Sequence, residues 1–270
     1  MEIKMKKGRL KNYWKKIQNE IKQKKVIFAV YSILRIFVMI TLVLQFFNGN
    51  YENVFLCVLT LLLLIVPTFI QMEFKIELPT TLEVIILFFI FAAEILGEIQ
   101  SFYLLFPMWD TILHTLNGFL AAAIGFSLVT LLNDDNRLQF YLSPLFVCIV
   151  AFCFSMTIGV LWEFFEFGLD RYLGKDCQKD TIVHEIRSVE LDPTKSNIPI
   201  KIDNIHEVYI NGEQPLELGG YLDIGLIDTM KDLMVNFIGA AVFSILGFFY
   251  LKYRDRAEFI YRFIPQKKEE

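Results

Sequence analysis

The sequence predicts an all-α polytopic membrane protein: six transmembrane helices with a small β-containing extracytoplasmic insertion before the sixth. Three observations predict it. Of 270 residues, 55% are apolar and the mean hydropathy is +0.47, above the roughly 45–50% apolar content of soluble domains. The excess falls in blocks of about 20 residues, the length that crosses a hydrocarbon core. Between the last two blocks lies one polar, β-branched stretch.

Residues 1–25 carry 10 Lys+Arg against 2 acids. Leu10, Trp14, Ile17 and Ile21 recur there at helical spacing, which predicts a basic amphipathic helix on an anionic inner leaflet. The first span, from about Val26 to Phe47, is too long for a signal-peptide core and lacks a small-residue cleavage site, so it reads as a signal anchor. The second, Val54 to Ile70, contains Pro67 near its inner end, where a kink is tolerable. The third, about Thr81 to Ile99, carries Glu83, Glu94 and Glu98. The fourth, about Thr111 to Leu132, holds Gly118, Ala121, Ala122, Ala123 and Gly125, small residues that let helices approach closely. The fifth runs from about Leu142 to Leu169 and the sixth from about Ile227 to Tyr250. The predicted organisation is a basic segment 1–25, helices one to five over 26–170, the insertion over 171–226, helix six over 227–250 and a basic tail over 251–270.

The basic N-terminal segment sets that end in the cytoplasm. Six spans return the C-terminus to the same side, where Lys252, Arg254, Arg256, Arg262, Lys267 and Lys268 agree. Residues 171–227, with 6 basic and 10 acidic side chains, then lie outside. Thr181–Leu191 is β-branched and partly alternating. Pro199–Ile210 alternates and ends at Asn211-Gly212, a hairpin signal. Cys57, Cys148 and Cys153 sit in apolar segments and Cys177 in the insertion, with neither metal-ligand spacing nor a disulfide framework. The predicted partners are membrane lipids, and nothing points to nucleic acid.

The polar residues within the spans form a pattern. In Trp162–Asp170, Glu163, Glu166 and Asp170 fall at i, i+3 and i+7, one helical face. Glu94 and Glu98 share a face in span three. Asp110, His114 and Asn117 open span four, and Asp228, Asp232 and Asn236 open span six. With the topology above, all four stripes lie within two or three turns of the outer surface. Lipid cannot satisfy such groups, so they are expected to face inward. Converging acids repel unless they share a cation or protons. Asp110, His114, Glu163, Glu166 and Asp232 are therefore the candidate metal ligands, for a divalent ion bound by carboxylates and one imidazole. Glu163, Glu166, Asp232 and His114 are the candidate catalytic acids and bases. Glu94, Glu98, Asn117, Asp170, Asp228 and Asn236 are expected in support. Capping is the plainer role for Asp110 and Asp228. A solvated position is the plainer one for Glu98. Arg35 is expected to pair with Glu83 or to reach for the inner interface. Phe102, Tyr103 and Trp109 form an outer aromatic belt. The lead reading is a metal- or proton-dependent site acting on or binding a lipid or lipid-linked envelope molecule. The alternatives are a proton- or cation-coupled transporter and a non-catalytic envelope protein with a structural polar network.

Three motifs, P-M-W-D-T-I-L-H-T-L-N-G-F at 107–119, G-V-L-W-E-F-F-E-F at 159–167 and G-L-I-D-T-M-K-D-L-M-V-N-F-I-G-A at 225–240, resemble the YjdF-type family of uncharacterised bacterial inner-membrane proteins. That resemblance implies the fold and a shared site but no activity. A weaker likeness is to VanZ-like proteins, through Asp110/His114, Glu163 and Asp232/Asn236/Gly239, with Glu166 standing where those proteins have Gln. It implies an envelope setting and an outward-facing site.

Overall fold

The computed structural model describes residues 2–73, 76–133, 142–253 and 260–267. Helix α1 (Glu2–Phe47) is one unbroken helix through both the basic segment and the first apolar block. It ends at Gly49, whose φ of +72° reverses the chain. Asn50 then caps α2 (Tyr51–Leu63), its side-chain oxygen accepting from the Asn53 amide. A turn at 64–65 separates α2 from α3 (Val66–Glu73). The break lies just ahead of Pro67, whose ring excludes the backbone of the preceding turn.

Strand β1 (Ile76–Glu77) leads into α4 (Thr80–Phe91), which continues without interruption as a π-helix, Ala92–Ile99. Ser101, in the left-handed region at φ +59°, opens the single turn α5 (Phe102–Leu105). Three long helices remain: α6 (Trp109–Asn133), α7 (Pro144–Leu173) and α8 (Leu226–Lys252). After α8 come a 3₁₀ turn (Ile260–Phe263) and β8 (Gln266–Lys267), antiparallel to β1 with Ile76 opposite Lys267.

Among the described residues, five helical stretches are long and apolar enough to cross a membrane: Lys25–Phe47, Tyr51–Glu73, Trp109–Leu132, Pro144–Leu173 and Leu226–Lys252. The expected third span, about 81–99, is helical over its whole length but divides into α4 and the π-helix, so it is not among these five.

The chain forms two compact units, Met1–Thr157 with Val235–Glu270, and Ile158–Met234. The first has three apolar clusters. Leu34, Val38, Cys57, Leu64, Leu87 and Ile95 join α1, α2, α4 and the π-helix. Ile76, Leu78, Leu82 and Leu120 form a smaller one. The third is built on Ala122, Ala123, Ala151 and Ala240, with Phe126 and Phe243 fully buried among them. Ala122 and Ala123, read from the sequence as contact positions, join Ala151 and Ala240 in drawing α6, α7 and α8 together.

The second unit holds the end of α7, the insertion and the first turns of α8. Its strands are short: β2 (Ile182–Val183), β3 (Ile186–Ser188), β4 (Ile200–Ile202), β5 (Tyr209–Ile210), β6 (Gln214–Pro215) and β7 (Tyr221–Leu222). They pair as three separate antiparallel ladders, β2–β7, β3–β4 and β5–β6. Asn211 and Gly212, at φ +53° and +77°, make the β5–β6 turn. Two successive positive φ values give the turn the twist a hairpin needs. Asp192 is buried and organises the loop before β4. It accepts hydrogen bonds from the amides of Thr194 and Ser196 and from both their hydroxyls.

Candidate functional site

Within the first unit the polar residues of α6 lie on one stripe, as their spacing requires. Asp110 Oδ1 stands 3.4 Å from His114 Nε2. The imidazole is largely enclosed, its side chain 11% exposed, and the carboxylate is more open at 26%. One turn on, Asn117 donates to Asn236 Oδ1 on α8 at 3.2 Å. Asn236 is fully buried and also lies within reach of the Ser155 carbonyl and of Met156 Sδ. The Ser155 hydroxyl donates to the Gly118 carbonyl at 2.7 Å, which brings α7 into the same node.

Two glycines make this crossing possible. A Cβ on Gly118 would stand 2.1 Å from the Asn236 carbonyl oxygen, and one on Gly239 would stand 2.0 Å from that of Thr115. Backbone meets backbone there, so no side chain fits. The helices are close enough for two short amide side chains to bridge them.

Asp232 is buried and lies one turn ahead of Asn236 on the same unbroken helix. It therefore shares the Asn236 face, as His114 shares the face of Asn117. Glu94 and Glu98 lie in the π-helix, Glu94 half-buried and Glu98 exposed. A π-helix widens the turn and is frequent at functional positions. Tyr103 packs its ring over Gly97 between them. The belt aromatics form one packed group, with Phe102 4.7 Å from Phe106 and 4.9 Å from Trp109. Arg35 lies over the Tyr31 ring at 4.4 Å, and Glu83 is hydrogen-bonded to Gln71. Arg35 thus makes a cation–π contact within its own helix.

In the second unit the acids divide by role. Glu163 is buried and Glu166 is not. Glu166 accepts the Trp162 indole N–H at 2.9 Å. Asp170 receives the amides of Cys177 and Gln178, and Asp228 receives that of Lys179. Asp223 takes the Thr181 amide with one oxygen and the Ile227 amide, at the start of α8, with the other. Residues 177–181 are thus strapped by backbone donors onto carboxylates of α7, α8 and the turn before α8. The Gln178 side chain donates to Thr229 Oγ1 at 2.6 Å and approaches Glu163 Oε2 at 3.5 Å. Asp170 and Asp228, expected in support of the site, tie down this strap. Asp228 serves another segment's amide. Gln178, Asp223 and Ser155 were not legible as partners, because each acts on a residue distant in sequence.

A family model described as a predicted membrane protein (DUF2238) matches residues 30–253. No curated protein and no solved structure matches the chain.

Proposed function

The chain belongs to the DUF2238 family of predicted membrane proteins, and from that premise we propose that it binds a divalent cation through Asp110 and His114 on α6. The observation that carries the reading is the 3.4 Å separation of Asp110 Oδ1 and His114 Nε2. Two ligand atoms on one ion, each at ~2.0–2.1 Å, stand about that far apart in tetrahedral geometry. A carboxylate and an imidazole suit zinc or manganese better than calcium, which prefers oxygen alone.

The 80–99 helix counts as the sixth span in this reading, and the insertion lies outside. The substrate class follows from the surroundings of the site. Leu105, Phe106, Met108 and Ile112 are exposed beside Asp110, so the site opens among side chains suited to acyl chains. An amphiphile held in the bilayer would present its head group at that height. The proposed role is to bind or act on a lipid or lipid-linked molecule, with the cation polarising its head group.

Thermal unfolding of the detergent-purified protein tests the cation. A ligand present at 100 times its dissociation constant stabilises the folded state by about 2.7 kcal/mol. Added Zn²⁺ or Mn²⁺ is expected to raise the melting temperature of chelator-treated protein, and His114→Gln or Asp110→Asn to abolish the rise. An unchanged melting temperature in the parent protein contradicts the proposal.

A further inference from the structure

The C-terminal segment does more than trail from the last helix. Ile264 is 4% exposed, inside the apolar cluster of Ala122, Ala123, Val147, Cys148, Ala151 and Ala240. Phe263 sets its ring edge-on against Phe119, centroids 5.4 Å apart. Phe119 lies 14 residues before the end of α6, and Ala123 lies 10 before it. At 1.5 Å per residue the segment reaches roughly 15–20 Å inward from that end. Residues 266–267 add a two-residue ladder to β1.

Irregular backbone at such depth is tolerated only where protein covers it. The sequence meets that condition. Ala122, Ala123, Ala151 and Ala240 leave a hollow between the helices, and Phe263 and Ile264 fill it. Pro265, also buried, brings no N–H that would need a partner.

We propose that residues 260–267 are a built-in stopper, closing the bundle at the C-terminal ends of α6 and α8. The Asp110–His114 pair, at the opposite end of α6, would then be reached from one side only. The closure itself stands independently of the cation. Its meaning for access rests on the proposed site and argues against a through-going transport path.

Cys148 is a native reporter, because its thiol is buried in the cluster that Ile264 completes. The full chain and a chain ending at Tyr253 would be reconstituted in vesicles and treated with a maleimide, and the labelled cysteines identified by peptide mass. Cys148 is expected to be protected in the full chain. In the shortened chain its labelling is expected to quicken at least ~10-fold, the effect of about 1.4 kcal/mol of lost closure. Unchanged protection in a shortened chain with native helix content overturns the proposal. Should that chain not accumulate, full-length Phe263→Ala/Ile264→Ala decides: faster labelling supports the stopper, and an unchanged rate overturns it. Zn²⁺ stabilisation measured on the same full-chain preparation reports the cation site separately.

Discussion

At the scale of single residues, the pair Asn117–Asn236 carries the most consequence, because it joins two helices through a buried hydrogen bond. Asn236→Leu keeps the branched side-chain shape and removes the bond. The expected cost is about 0.6–2 kcal/mol, the range for interhelical hydrogen bonds in membranes. Thermal melts in detergent would show it, and adding Asn117→Leu should recover part by removing the orphaned amide. Gly118→Val is expected to cost more, ~3 kcal/mol or above, since its Cβ meets backbone rather than a side chain that can turn away. Asp192 makes a pH prediction. Hydrogen bonds from the Thr194 side chain and amide, then from Ser196, hold its carboxyl well below the usual carboxylate range. A depressed folded pKa stabilises above the unfolded value, near 3.9, and that contribution is lost as pH falls through the folded one. Amide exchange at 193–198 should therefore be slow at pH 6 and still slow near pH 4. Asp192→Asn should speed it at pH 6.

At the scale of elements, the strap 177–181 is held by carboxylates rather than by a ladder. Asp170→Ala is expected to raise hydrogen exchange at Cys177 and Gln178 and to leave α7 intact. Gln178→Ala should loosen the Thr229 contact alone. Helical spacing in the sequence was enough to put Glu163 and Asp170 on one face. It could not show that Asp170 holds a loop amide, because that partner lies outside the helix. The hairpin was legible because Asn211-Gly212 is local turn chemistry. The β2–β7 pairing was not, because its strands lie about 40 residues apart and hold two residues each. In the same way, a two-residue β8 leaves no alternation to read.

At the scale of the whole molecule, hydropathy made the membrane class and most helix positions legible, since bilayer thickness fixes the length of an apolar run. The π-helical end of the third segment was not legible, because α and π turns share one residue pattern. The docked C-terminus was missed because basic residues flank it, and charge outweighs a short apolar run such as 260–265 in any window average. Six spans predict that residues 171–226 and both termini lie on opposite faces. Cysteines placed singly at Lys195 and at Glu270 should accordingly react with an impermeant reagent from opposite sides of sealed vesicles.

On the proposed reading, Asp110 and His114 of α6 hold a cation. Elemental analysis of the purified protein tests this most directly, alongside Asp110→Asn and His114→Gln. Close to one transition-metal ion per chain is expected, lost in both variants while their helix content persists. A metal-free parent protein after purification without chelator and dialysis against Zn²⁺ or Mn²⁺, or variants that retain the ion, would contradict it.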